Sequence, residues 1–318
     1  MGGMDLDIGL LLPTREAAVG LGEARDIVAV ARRAEALGFA SLWAGDSLRR
    51  SRYEAVAVLG AAAAATERVT LGTAALMAAF RQPLNAAASL ATLDALSGGR
   101  LVVTVGAGFP GLSEGEMALV GVPYARRFRW LDDVVALWRA LWSATPPERF
   151  DGDVLHLDWL PVTPRPHRPG GPPVWLAGAT PAALARTARA YDGWMPYPPD
   201  PADYARGLAT ITAAAGGRPV TPALYLTVIV DDDVERGTAM AERWCDVWYE
   251  MPFSFVSSIQ AFVIGSRDEI AAALGRFAAA GARHIVVRMA STDVPGDLDR
   301  VADAVLAAPA GAGYEPVA

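Results

Sequence analysis

Residues 69–110, VTLGTAALMAAFRQPLNAAASLATLDALSGGRLVVTVGAGFP, constrain the fold more than any other stretch of the chain. A β-rich run at 69–73 leads into a helical pattern at 83–96. A second β-rich run at 101–105 then opens into Gly106-Ala107-Gly108. Strand, helix and strand in that order imply two parallel neighbours, because parallel pairing needs a crossover connection. The glycines put close-approach backbone at the carboxyl end of a strand. In closed α/β barrels that end is where ligands sit.

The same alternation runs through the rest of the chain. β-like runs fall at 8–12, 41–44, 69–73, 101–105, 173–177, 193–195, 223–230 and 284–289. Most are short and continuously apolar, as strands covered on both faces are. Helical patterns lie between them, at 23–37, 53–65, 83–96, 128–142, 181–190, 202–215, 234–249, 268–280 and 297–307. Gly38, Gly216 and Gly281 stand where helices stop, and Pro181 where one starts. Eight alternations without a return to antiparallel runs predict a single (β/α)8 TIM barrel of class α/β, spanning 1–310, with a loose tail at 311–318. Two insertions interrupt the rhythm, after strands 4 and 7. Residues 143–172 are proline-rich and contain a small hairpin at 150–157 around Asp151-Gly152. Residues 246–264 are aromatic and almost uncharged. Long connections inside a domain tend to be lids or interfaces.

Hydrophobic residues make up 53% of the 318, enough to bury a large core. A net charge of −7 supplies no basic stripe for nucleic acid. With one cysteine, Cys245, no internal disulfide can form, and a cytoplasmic chain is expected. The apolar run near the amino terminus is too short for a membrane span and reads as the first buried strand. The three histidines, His156, His167 and His284, do not cluster, so no metal site is expected.

The combination of LGT, RQPLNAAASLATLDALSGGR and LVVTVGAGFP resembles the luciferase-like flavin-dependent oxidoreductases. The resemblance runs along nearly the whole chain and is most specific at 69–108 and 172–196. It implies a (β/α)8 barrel that takes reduced FMN, or alternatively the deazaflavin coenzyme F-420, at its carboxyl face. The first expectation it implies is a monooxygenase: reduced FMN and O2 oxidise a small, apolar organic substrate, with a separate flavin reductase supplying the cofactor. Hydride transfer with coenzyme F-420 is the alternative. A non-catalytic flavin-binding protein is a further one, since fold alone does not give activity. A homodimer is also implied.

Candidate site residues follow the strand ends. Asp46 and Ser47 end the second strand and are the catalytic candidates. Relatives often carry aspartate followed by histidine here; this chain has Ser47, which removes the usual proton donor. The plainer reading makes Asp46 a cap for the following segment. Thr73 and Ala74 end the third strand, where the family often has a bulge against the isoalloxazine ring, sometimes with a non-proline cis peptide. Gly106, Ala107 and Gly108 end the fourth. No G-x-G-x-x-G follows, so a Rossmann site is excluded. Gly178, Ala179 and Thr180 precede a helix that opens with Pro181, a ready seat for a phosphate. Arg165 or Arg168 would add charge there. Glu114 and Glu116 are within reach of the mouth, though surface acids are the commoner outcome. Arg81, Arg126, Arg127 and Arg129 are candidates for the acidic tail of a deazaflavin. A Schiff-base aldolase is excluded because the chain contains no lysine.

Overall fold

A computed structural model describes residues 6–49, 51–109, 111 and 113–307; the expected tail at 311–318 lies outside the described residues. The strands are β1 (Asp7–Leu11), β2 (Ser41–Ala44), β3 (Thr70–Met77), β4 (Leu101–Gly106), β5 (Phe150–Asp151), β6 (His156–Leu157), β7 (Val174–Leu176), β8 (Gly193–Trp194), β9 (Thr221–Val230), β10 (Phe262–Gly265) and β11 (His284–Met289). The helices are α1 (Thr14–Ala18), α2 (Ala24–Leu37), α3 (Ala55–Ala65), α4 (Pro83–Leu96), α5 (Ser113–Leu119), α6 (Arg127–Trp142), α7 (Pro181–Ala190), α8 (Pro201–Ala214), α9 (Val234–Tyr249), α10 (Phe253–Ile259), α11 (Arg267–Ala279) and α12 (Val294–Leu306).

The large sheet runs β10-β9-β11-β1-β2-β3-β4-β7-β8, and β8 pairs back onto β9. Eight of these strands therefore form a closed parallel barrel with helices between them, as the sequence predicts. One expectation is corrected. Phe262–Gly265, placed inside the aromatic insertion, is a ninth parallel strand, paired Phe262↔Thr227 to Gly265↔Val230. It takes the outer half of an edge of β9 whose inner half pairs with β8, Gly193↔Thr221. The predicted hairpin is present as β5 and β6, paired Phe150↔Leu157. It is pinned by the buried Asp133 carboxylate, which accepts from the Asp153, Val154 and Leu155 amides at 2.7–3.1 Å.

The chain falls into two units. The first holds residues 1–13, 29–43 and 175–318; the second holds 14–28 and 44–174. In the first unit the interior at the amino end of the strands is filled by Trp43, Trp175 and His284, with ring centroids 5.4–5.5 Å apart. Gly193 is required beside them, because a Cβ there would lie 2.4 Å from the Trp175 ring. In the second unit Arg100 ties α3 and β3 to β4. Its guanidinium donates to the carbonyls of Ala63, Thr66, Val69 and Ser97 and to the Thr66 hydroxyl, at 2.8–3.0 Å. Five donors meeting carbonyls left open at a helix end satisfy groups that burial would otherwise penalise.

Candidate functional site

The second unit brings the ends of β2, β3 and β4 together with α5. β3 does not stop at Thr73, as the sequence reading expects, but continues to Met77. Its register against β4 shifts between Thr73 and Leu76, so a bulge sits at Ala74–Ala75, and that peptide is cis. Thr73 is fully buried and its hydroxyl donates to the Thr104 carbonyl at 2.7 Å. Ala74, Ala75, Gly106 and Ala107 are half-buried and small. Gly106 needs no glycine for its own backbone, and a Cβ there would make ordinary contact, 3.5 Å, with the Ala75 Cβ. Gly108 is different: its φ is +84°, and a Cβ would lie 2.5 Å from Ser113. That glycine serves the turn, where the Phe109 amide donates to the Ser113 hydroxyl.

Among the described residues Asp46 does not cap the segment that follows it. Its carboxylate accepts from the Met77 amide at 2.9 Å and from Arg81 at 2.5 Å, so it fixes the end of β3 just beyond the bulge. Arg81 also binds Glu54. This corrects the reading of Arg81 as part of a basic groove, since both ends of its guanidinium meet carboxylates. Arg127 is likewise turned onto its neighbours. It lies 3.7 Å over the Tyr124 ring and donates to the Tyr124 carbonyl. Arg126 and Arg129 are exposed.

Ser47 donates to Glu116 Oε1 at 2.9 Å, and the Leu48 and Arg49 amides donate to the same atom at 2.7 Å. Glu116, read from sequence as a surface acid, is buried on α5. The carboxylate reaches back to the loop after β2. The sequence signal was the periodicity of α5, too short to register as a helix.

In the first unit, Gly178, Ala179 and Thr180 lie between β7 and the ten-residue helix α7. Gly178 has φ +114°. Thr180 is the N-cap, its hydroxyl accepting from the Ala183 amide at 3.3 Å. The turn is held from below by Trp194, which donates from its indole nitrogen to the Gly178 carbonyl at 2.8 Å and stacks on Tyr204. A hollow of about 330 Å³ opens beside it, lined by Ala179, Leu184, Trp194 and Arg206 among others. Arg168, in the second unit, donates to the Gly99 carbonyl. Thr180→Ala is expected to cost about 1 kcal/mol through loss of the cap alone, read as a shift in urea midpoint.

The aromatic insertion packs against its neighbours: Trp248 and Val256 are buried with Trp244, Cys245, Ile229 and Ala290. Burial pushes the Cys245 thiol up to about 11, which leaves it protonated and unreactive at neutral pH. Among the described residues no group of three or more His, Cys, Asp or Glu side chains is arranged to hold a metal, and no helix is long and apolar enough to cross a membrane.

Comparison with known proteins bears on this arrangement. A sequence model of luciferase-like monooxygenases matches residues 6–284. An F420-dependent glucose-6-phosphate dehydrogenase of Amycolatopsis mediterranei (strain U-32) is 34% identical over 181 residues, 54% of this chain and 53% of that protein. The matched region thus spans about half the length of that dehydrogenase. An uncharacterized protein of Mycobacterium tuberculosis (strain ATCC 25618 / H37Rv) is 34% identical over 211 residues, 64% of this chain and 72% of its own. Among solved structures, an F420-dependent secondary alcohol dehydrogenase in complex with an F420-acetone adduct superposes with a TM-score of 0.78 at 21% identity, covering 96% of this chain and all (100%) of the other. Monooxygenase RslO1 from Streptomyces bottropensis gives 0.76 at 22% identity, covering 95% and 98%. These two likenesses speak for the fold. With the matched region covering both the β3–β4 bulge and the turn before α7, the chain belongs to the luciferase-like monooxygenase family.

Proposed function

We propose that this protein is a deazaflavin-dependent oxidoreductase that moves a hydride between coenzyme F420 and an oxygen-bearing carbon of a small organic substrate. The observation that carries the reading is the 34% identity to F420-dependent glucose-6-phosphate dehydrogenases from two actinobacterial sources, over 181 and 183 residues. The sequence reading put reduced FMN and O2 first; these relatives reverse the order.

The residues present fit a flat ring and an anion. The bulge at Ala74 and the small residues Gly106 and Ala107 offer a surface without long side chains, with Thr73 bonded to the Thr104 carbonyl and Gly108 in the turn that follows. Gly178, Ala179 and Thr180 offer backbone amides at a helix N-terminus. Bound deazaflavin would supply the two-electron hydride carrier; the protein's part is position and proton handling. Asp46 orients the end of β3 and is held in place by Arg81. Ser47 Oγ, hydrogen-bonded to Glu116, stands where relatives often have histidine and is assigned the proton at the substrate oxygen.

Fluorescence titration with F420 and with FMN separates the readings. F420 is expected to bind at least about tenfold tighter, a difference of roughly 1.4 kcal/mol. Tighter FMN binding, followed by oxygen uptake on adding the reduced flavin, would return the assignment to a monooxygenase. Binding of neither would remove both and leave the family membership standing.

A further inference from the structure

Arg52 lies between β2 and α3, two residues before the Glu54 cap of that helix. Its segment is strapped to α1 on both sides. Ser51 Oγ donates to the Ala18 carbonyl at 3.3 Å, and the Tyr53 amide donates to the Thr14 carbonyl at 3.0 Å. Arg52 itself donates from Nη1 to the Thr14 hydroxyl at 3.2 Å, and Thr14 is fully buried. These bonds to α1 fix where the guanidinium stands.

Gly45, the first residue after β2, shows where that is. A Cβ on Gly45 would lie 2.5 Å from Arg52 Nη1, 3.0 Å from its Cζ and 3.4 Å from the Ala74 carbonyl oxygen. The guanidinium therefore fills the space that a side chain at 45 would take. Gly45 is outside the left-handed region, so this glycine provides room rather than an unusual backbone. One point in space touches both groups, which makes the guanidinium and the Ala74 carbonyl neighbours. Ala74 opens the half-buried bulge of β3, the surface without long side chains.

Other charges surround the same strand ends. Asp46 and Glu54 hold Arg81, and Glu116 takes Ser47 and two backbone amides. Helix α1 adds one buried charge of each sign, Arg15 and Glu16. Arg81 is thus turned onto two carboxylates, and Arg52 onto the bulge. A guanidinium is a flat plate with a permanent charge, so it can lie against a glycine backbone where a lysine ammonium would stand off.

We propose that Arg52 is the residue that holds negative charge on the coenzyme ring, with Gly45 as the gap that admits its guanidinium to the Ala74 bulge; this rests on the reading that a deazaflavin or flavin ring lies on that surface. Rings of this kind change their charge. The 8-hydroxyl of an oxidised deazaflavin ionises, and a flavin gains negative charge when it is reduced. A fixed cation in a partly buried site favours whichever form carries the extra negative charge. Charge near the ring is one of the means by which a protein tunes such a cofactor.

Absorbance titration of the bound coenzyme tests this without turnover. The full chain is loaded with oxidised F420, and ionisation of the 8-hydroxyl is followed against pH. In Arg52→Met, which keeps most of the bulk, the bound hydroxyl is expected to hold its proton about tenfold more tightly than in wild type. Arg52→Lys should recover part of the loss. Gly45→Ala leaves the arginine in the chain but pushes its guanidinium aside; it should move the ionisation in the same direction, and it decides if the methionine variant does not fold. FMN gives a second arm, read as the ratio of the dissociation constants of its oxidised and reduced forms. There R52M should lose about tenfold of the preference for the reduced form, about 30 mV in a two-electron couple. If Arg52 only ties α1 to the end of β2, the variants weaken both charge forms alike, and an unchanged ionisation or ratio would overturn the proposal. Binding of FMN without F420 would revise the coenzyme, and the FMN ratio would still decide Arg52. Binding of neither would overturn both, because no ring would then meet the charge.

Discussion

Arg81→Met is expected to destabilise the protein by about 3–5 kcal/mol, the range for removing one partner of a buried ion pair. The side chain of Asp46 is 9% exposed and that of Arg81 18%, so solvent does little to screen them. Methionine fills most of the space but leaves the Asp46 carboxylate with the Met77 amide as its remaining bond from this cluster. Burial works against the Arg81 charge, yet hydrogen bonding to Asp46, its proximity, and then the same two effects from Glu54 outweigh it and hold the guanidinium above its usual range. Burial likewise pushes the Glu54 carboxyl up, but Arg81 and the Ala57 amide outweigh that and keep it below the ordinary carboxylate range. Glu54 is half exposed, so its share of the loss is small. The cause can be isolated by a double-mutant cycle: Asp46→Asn removes the stranded charge while keeping an acceptor for Met77, so R81M in that background should cost under about 1 kcal/mol. Equal costs in both backgrounds by urea denaturation would show that packing rather than charge is responsible. Because Asp46 fixes the end of β3 next to the Ala74–Ala75 bulge, R81M should also weaken F420 binding in protein that is still folded.

The barrel was legible in the sequence because its strands are short apolar runs between capped helices, a pattern each segment carries locally. The ends at 41–44 and 284–289 coincide with β2 and β11. β3 was read short because Ala74-Ala75-Leu76-Met77 has helical composition; pairing of Leu76 with Val105 and Met77 with Gly106 extends it, and pairing is not a local property. β10 was hidden in an aromatic run for the same reason: four residues become a strand because β9 presents an open edge. The site was legible as positions, not as partnerships. Asp46, Ser47 and the Gly178 turn could be placed at strand ends. That Asp46 meets Arg81, Ser47 meets Glu116, and Trp194 supports Gly178 depends on residues 16 to 69 positions away. Such contacts leave no trace in spacing when each partner is also a plausible surface residue.

Acidification from pH 7 to 4.5 is expected to remove roughly 2–3 kcal/mol of stability through His284 alone, from the linkage between its two pKa values. The ring is enclosed at the amino end of β11 between Trp43 and Trp175. Its Nε2 lies 2.7 Å from Ser41 Oγ, which also accepts from the Trp43 indole at 2.7 Å. A neutral ring with its hydrogen on Nδ1 satisfies all three groups, Ser41 donating to Nε2. Asp7 Oδ2 lies 3.7 Å from Nδ1 but is half exposed to solvent and offsets little of the burial. Burial therefore lowers the folded-state pKa from 6.5 to about 4. The unfolded chain binds a proton as pH falls through 6.5, and the folded chain does not until about 4. Stability from this group is complete above 6.5, declines between 6.5 and 4, and is flat below that. Carboxylates titrate in part of the same window, so the contribution is read as a difference: His284→Gln keeps a partner for Ser41 and should lose less stability than wild type over this range, by that same amount. Identical pH slopes for the two proteins would mean that the ring protonates in place without opening the interior. A smaller slope in the variant, with F420 affinity unchanged at pH 7, would assign His284 to holding the closed end of the barrel and leave the chemistry to the residues at the other end of the strands.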